Sequence, residues 1–171
     1  MQLELERTFL ARFIPKDIKN FPYKECLDLY LPEESPHPVL RLRKLGDRYE
    51  MTKKQPEKED RSEQTEHTIS LSEDEFKAFE KVPGKRVRKL RYYIVYGARA
   101  EIDIFQDDLT GLVLIDFEFA NAKEKASFTP PDFCLTEVTQ ELAIAGGNLA
   151  GKSYADIASF LRSYDYRKLT L

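Results

Sequence analysis

At 171 residues and 42% hydrophobic, the chain is long enough for a core of its own, and a single domain over 1–171 is expected. Charged residues make up 33% yet nearly cancel to a formal net charge of −3, which excludes a chain-wide field for nucleic acid or an anionic membrane and leaves any strong field to be local. No apolar run approaches membrane-spanning length and the N-terminus lacks the basic and apolar regions of a signal peptide, so the expected compartment is the cytoplasm.

The first stretch, Leu3-Glu4-Leu5-Glu6, alternates apolar and charged residues with the period of a strand, so Glu4 and Glu6 share one face. One or two helical turns suit 15–20 before Phe21-Pro22, and 27–31 alternates again. A loop is marked by Pro32, Pro36 and Pro38. Strands are predicted over 39–44 and 48–54, joined as a hairpin at Gly46-Asp47. The nearly all-polar run 55–66 reads as a surface loop leading into a strand over 66–71. Ser72 and Glu75 form a capping box for a helix with Phe76 and Phe79 on its apolar side. Three further strands, 86–95, 100–105 and 112–119, make an antiparallel meander, followed by short helices over 120–128 and 153–162. Cys26 and Cys134 lack a paired-ligand spacing and are expected as buried free thiols.

Charges recur at strand spacing and segregate by sign: Glu4 and Glu6, Arg41 and Arg43, Lys89 and Arg91, Glu101 and Asp103, Asp116 and Glu118. Apolar residues such as Leu40 and Leu42, or Ile102 and Ile104, lie opposite them. A half-solvated sheet is the plain account. Against it, about eight twisted antiparallel strands tend to curl and close, which gives the charged faces an inside on which to converge. Acids that gather a divalent cation, facing Arg and Lys that grip phosphate oxygens, make a polyphosphate site.

These residues resemble the CYTH family of triphosphate tunnel metalloenzymes, whose first strand carries Glu-x-Glu-x-Lys. Glu4-Leu5-Glu6 matches, with Thr8 where the lysine stands. Tyr30-Leu31, Arg41-Leu42-Arg43, Met51-Thr52-Lys53-Lys54, Lys89-Leu90-Arg91, Glu101-Ile102-Asp103, Asp116-Phe117-Glu118-Phe119 and Glu137-Val138-Thr139 follow in the family's order. The resemblance implies a mainly β (α+β) fold, a closed eight-stranded antiparallel β-barrel with a charged interior and peripheral helices. It implies metal-dependent hydrolysis of inorganic tripolyphosphate or a small organic or nucleoside triphosphate, with adenylyl cyclase activity or non-catalytic polyphosphate binding as alternatives. Carried over by position, Glu4, Glu6, Glu118 and Asp103 would hold Mg2+ or Mn2+. Arg41, Arg43, Lys54, Lys89 and Arg91 would bind the triphosphate, and Glu66, Asp116 and Lys54 would form the catalytic set. The triphosphate is the expected partner, with no nucleic acid and no membrane, and the chain is expected as a monomer or homodimer.

Three other signals carry less. Residues 146–153 satisfy the phosphate-loop pattern, but only 18 residues follow Ser153, too few for the later strands of a parallel-sheet nucleotidase. The basic run 85–91 has strand periodicity, which sends Lys89 and Arg91 to one face and Arg86 and Arg88 to the other, unlike a nucleic-acid patch. His37 and His67 have no partners at ligand spacing.

Overall fold

Among the described residues, alternation at a two-residue period becomes nine strands: β1 (Gln2–Ala11), β2 (Tyr23–Leu31), β3 (Leu40–Leu45), β4 (Arg48–Pro56), β5 (Glu63–Leu71), β6 (Lys85–Tyr96), β7 (Ala98–Phe105), β8 (Val113–Glu118) and β9 (Cys134–Glu137). The computed structural model describes residues 2–56 and 61–171, without the side chains of residues 2, 3 and 54–56. Neighbouring strands run β5-β4-β3-β2-β6-β7-β8-β1, and β1 pairs back onto β5, so eight strands close a barrel. All of these pairings are antiparallel. The ninth strand, β9, lies on β1 at Phe9–Ala11, beyond the point where β5 has paired with residues 2–5. Gly46 and Gly97, both at positive φ, turn the β3–β4 and β6–β7 hairpins.

The apolar phase of β1, β7 and β8 points outward. Phe9, Ile102, Ile104, Ile115 and Phe117 are buried there beneath Ile18, Phe128 and Phe133. On the opposite side, helix α1 (Glu73–Phe79) lays Phe76 over Leu29, Leu31 and Leu42. Its capping box forms as the sequence predicts, with the Glu75 amide donating to Ser72 Oγ at 3.2 Å and the Ser72 amide to the Glu75 carboxylate at 2.7 Å. Helix α2 (Ala122–Ser127) is capped by Asn121, while α3 (Gly146–Leu149) and α4 (Tyr154–Arg162) complete the C-terminal third.

Toward one end, the inward phase changes from charged to apolar. Tyr30, Val87, Phe105 and Leu114 pack in one cluster with Ile144 and Leu149, so the C-terminal segment covers that end of the barrel. The inner charges thus face a space approached from the other end.

The structure departs from the sequence expectation in two places. β5 begins at Glu63, so part of the predicted 55–66 loop is strand; residues 57–60 lie outside the described residues. β9 was not anticipated. Both cysteines are free and buried, as expected.

Candidate active site

The inner phases of the strands line a cavity of about 350 Å³, within the range of small-molecule sites. Glu4, Glu6, Arg41, Arg43, Glu66, Lys89, Arg91, Asp103, Asp116 and Glu118 all border it, so the barrel gathers residues up to 114 positions apart, the separation of Glu4 and Glu118. The backbone of Lys54 stands opposite Glu66 in the β4–β5 ladder, and its side chain lies outside the described residues. Arg7 falls on the other face, as its odd step requires, and pairs with Glu137.

Buried cations on one wall are matched from neighbouring strands. Arg43 donates from Nε and Nη2 to the two oxygens of Asp28, each at 2.7 Å, in a bidentate pair. Burial alone would raise the Asp28 carboxyl, but the Arg43 guanidinium holds it well below the usual carboxylate range. Asp103 accepts from Arg91 Nε and Nη2, both at 2.7 Å, and from Lys89 Nζ. Burial again opposes ionisation, and Arg91 and Lys89 together hold Asp103 at about 2. Both Asp103 oxygens are therefore taken by cations. Arg91 also reaches Glu101.

Arg41 differs from these. Its Nε is buried and has no hydrogen-bond partner among the described residues, although the side chain borders the cavity. A buried donor without a partner costs roughly 1–3 kcal/mol, so the position suits an incoming anion.

The facing wall has the opposite character. Glu6 stands opposite Glu118 in the β1–β8 ladder, and Asp116 opposite Glu101 in the β7–β8 ladder. Like charges directly across a ladder destabilise it. Burial, then Glu6 and Asp103, push Asp116 up to about 7 against the pull of Arg91 and Lys89. Glu118 is likewise raised by burial and by Glu101, with Glu4 adding to it. Gln64 Nε2 donates to Glu6 Oε1 at 2.7 Å, which ties β5 to this wall. Thr8 donates its hydroxyl to Asp116 Oδ1 at 2.7 Å.

Hard carboxylate oxygens crowded at one wall suit Mg2+ or a similar divalent cation, whose charge would relieve the opposed pairs. As placed, no three His, Cys, Asp or Glu side chains among the described residues converge closely enough to hold an ion. The donor set fits such an ion by its chemistry.

Several inner residues escaped the sequence reading. Asp28 stands between Leu27 and Leu29 in β2, and only its cross-strand position opposite Arg43 reveals its role. Glu50 and Arg48 also border the cavity, in phase with Thr52. Tyr93 lies in the inner phase opposite Glu101, whereas Tyr92 stacks on Tyr23 outside and Tyr96 meets Phe133. The phosphate-loop match has a packing explanation. A Cβ at Gly146 would meet Tyr30 Oη at 2.1 Å and one at Gly147 the Pro38 carbonyl at 2.2 Å, so these glycines permit close approach of α3 to the barrel. His37 contacts Asn148 Oδ1, and His67 is exposed.

No family model matches the chain. A protein of Nitrosomonas europaea named inorganic triphosphatase is 30% identical over 142 residues, covering 81% of this chain and 90% of that protein. The crystal structure of the inorganic triphosphatase NE1496 superposes with a TM-score of 0.64 at 27% identity, over 89% of this chain and 97% of that one. A putative adenylate cyclase from Bacillus halodurans, at 14% identity and a TM-score of 0.54 over 100% of this chain and 95% of that one, shares the fold.

Proposed function

From the premise that this chain belongs to the CYTH, or triphosphate tunnel, family, we propose that it is a phosphoanhydride hydrolase that cleaves the terminal phosphate from a triphosphate bound inside the barrel. The observation that carries the reading is the division of one cavity into a basic and an acidic wall, with Glu6 opposite Glu118 on the latter. A triphosphate is a chain of anionic groups, and its hydrolysis needs positioning and charge neutralisation more than covalent help.

On this reading Arg41, Arg43, Lys89, Arg91 and Lys54 hold the phosphates, with Arg41 Nε finding there the partner it lacks among the described residues. Glu4, Glu6 and Glu118 hold a divalent cation, Mg2+ or Mn2+. When bound, that cation neutralises charge that builds up on the phosphate being cleaved. Asp103 is assigned instead to fixing Lys89 and Arg91, because its oxygens are already engaged by them. Asp116, steadied by Thr8, and Glu66 orient the attacking water. Water adds to the terminal phosphorus, the bridging P–O bond breaks, and orthophosphate and diphosphate leave.

Inorganic tripolyphosphate is the favoured substrate, since the lining offers charge on both walls. Incubation with tripolyphosphate, ATP and thiamine triphosphate in Mg2+ or Mn2+, with phosphate release as the readout, tests the proposal. Release from tripolyphosphate at the highest kcat/KM is expected. Saturable binding with no release from any of the three would overturn hydrolysis and leave a polyphosphate binder.

A further inference from the structure

β1 carries no cation into the cavity: its inward residues are Glu4, Glu6 and Thr8, and the Thr8 hydroxyl is committed to Asp116. The edge of β1 beside Thr8 is also where its neighbour changes. β5 pairs with residues 2–5, the Glu6 amide donates to the Ser62 carbonyl, and the next contact along that edge is Val138, whose amide donates to the Thr8 carbonyl. Arg61 stands in the resulting notch. Ser62 is bonded to Glu6, and Arg61 precedes it in the turn that leads into β5.

The Arg61 backbone is held from both sides. Its amide donates to Gln140 Oε1 at 3.1 Å, and its carbonyl accepts from Gln64 Nε2 at 3.0 Å, the same amide group that donates to Glu6. The side chain borders the main cavity together with Glu4, Glu6, Gln64 and Arg41. It also borders a recess of about 90 Å³ shared with Arg41, Tyr30 and Thr52 at the covered end of the barrel. Among the described residues its guanidinium forms no ion pair, unlike Arg43 and Arg91. Arg41 and Arg61 thus border one recess, with Arg41 Nε lacking a hydrogen-bond partner and the Arg61 guanidinium lacking an ion pair among the described residues. Such a pair is costly for a protein to keep unless an anion lies across it.

We propose that Arg61 is a phosphate-binding residue, reaching through the notch between β5 and β9 to share with Arg41 the phosphate at the covered end and supplying the positive charge that β1 does not. The inference rests on the triphosphate reading above and deepens it. It makes the start of β5, and not only the regular strand positions, part of the substrate site.

Steady-state hydrolysis of tripolyphosphate by the wild-type chain, R61A, R61K and the R61A/T8K double variant tests it. R61A is expected to raise KM by roughly tenfold to a hundredfold, the effect of losing a charged hydrogen bond, with kcat and melting temperature little changed. R61K is expected to lie between the two. T8K, which places a cation on the inward face of β1, is expected to recover part of the lost affinity in the R61A background. A wild-type KM in R61A would overturn the role of Arg61 while leaving the triphosphatase reading intact, as would a loss confined to kcat or accompanied by a lower melting temperature. No hydrolysis by the wild-type chain would overturn the reading itself and the Arg61 role with it.

Discussion

On β2, β3, β6 and β7, the buried cations Arg43, Lys89 and Arg91 meet Asp28 and Asp103 from adjoining strands, whereas across β1 and β8 a carboxylate faces a carboxylate in register. Both walls are dense in charge, but their electrostatics differ in kind. The first wall is matched as folded, save for Arg41 Nε among the described residues: Arg43, Lys89 and Arg91 are desolvated and depend on their acids. The second raises its own proton affinities through burial and then through mutual repulsion, and a bound cation would reverse the latter. Charge already balanced in the fold can therefore be told from charge left in opposition by its cross-strand partner, not by its burial.

The sharpest way to break this comparison is to alter one residue on each wall. E118Q is expected to lower triphosphate turnover by about a hundredfold or more, as loss of a charge-stabilising metal would. In metal-free buffer its urea midpoint should equal or exceed that of the wild type, because an opposed like charge is gone. A lowered midpoint would make the acidic wall scaffold as well.

D28N is expected to act on stability first. It leaves Arg43 charged and buried, and urea unfolding should show a loss of roughly 3–5 kcal/mol. The same wall sets an acid limit. Asp28 and Asp103 ionise at lower pH folded than unfolded, so each contributes stability that is present above the unfolded value near ~3.9 and lost as pH falls toward the folded one, about 2 for Asp103. Wild-type melting temperature should thus fall steeply below about pH 4, and D28N should show a shallower fall. Equal acid profiles would remove Asp28 from the scaffold wall.

The smallest effect calibrates the others. S72A removes the α1 cap, far from the cavity, and should cost about 1 kcal/mol with turnover unchanged.

Much of this was legible in the order of residues because a strand writes its inner face at every second position. Glu4 and Glu6, Arg41 and Arg43, and Lys89 and Arg91 needed nothing more to be placed on inward faces. Partners across the ladder are a different matter. That Thr8 would meet Asp116, or that Asp28 would neutralise Arg43, depends on register, which no single strand carries. β5 began earlier than predicted because its polar start is held on both edges, by β4 and by β1, so it needs no apolar alternation of its own. β9 is four residues long, just after Pro130-Pro131, and too short to display a period. Arg61 lay hidden in a charged run where composition spoke only of solvent.

The arrangement around β1 also bears on how the protein is made. This strand is made before the strands it pairs with, yet β5 holds only its opening residues, and the rest waits for β8 and β9, more than a hundred positions later. Until residue 137 has emerged, the nascent chain carries Phe9 and Leu10 on an unclosed edge, the kind of edge that invites pairing with other chains. The hydrolytic centre is consequently among the last features to assemble, and a translation product stopped after β7 would be both inactive and prone to aggregate.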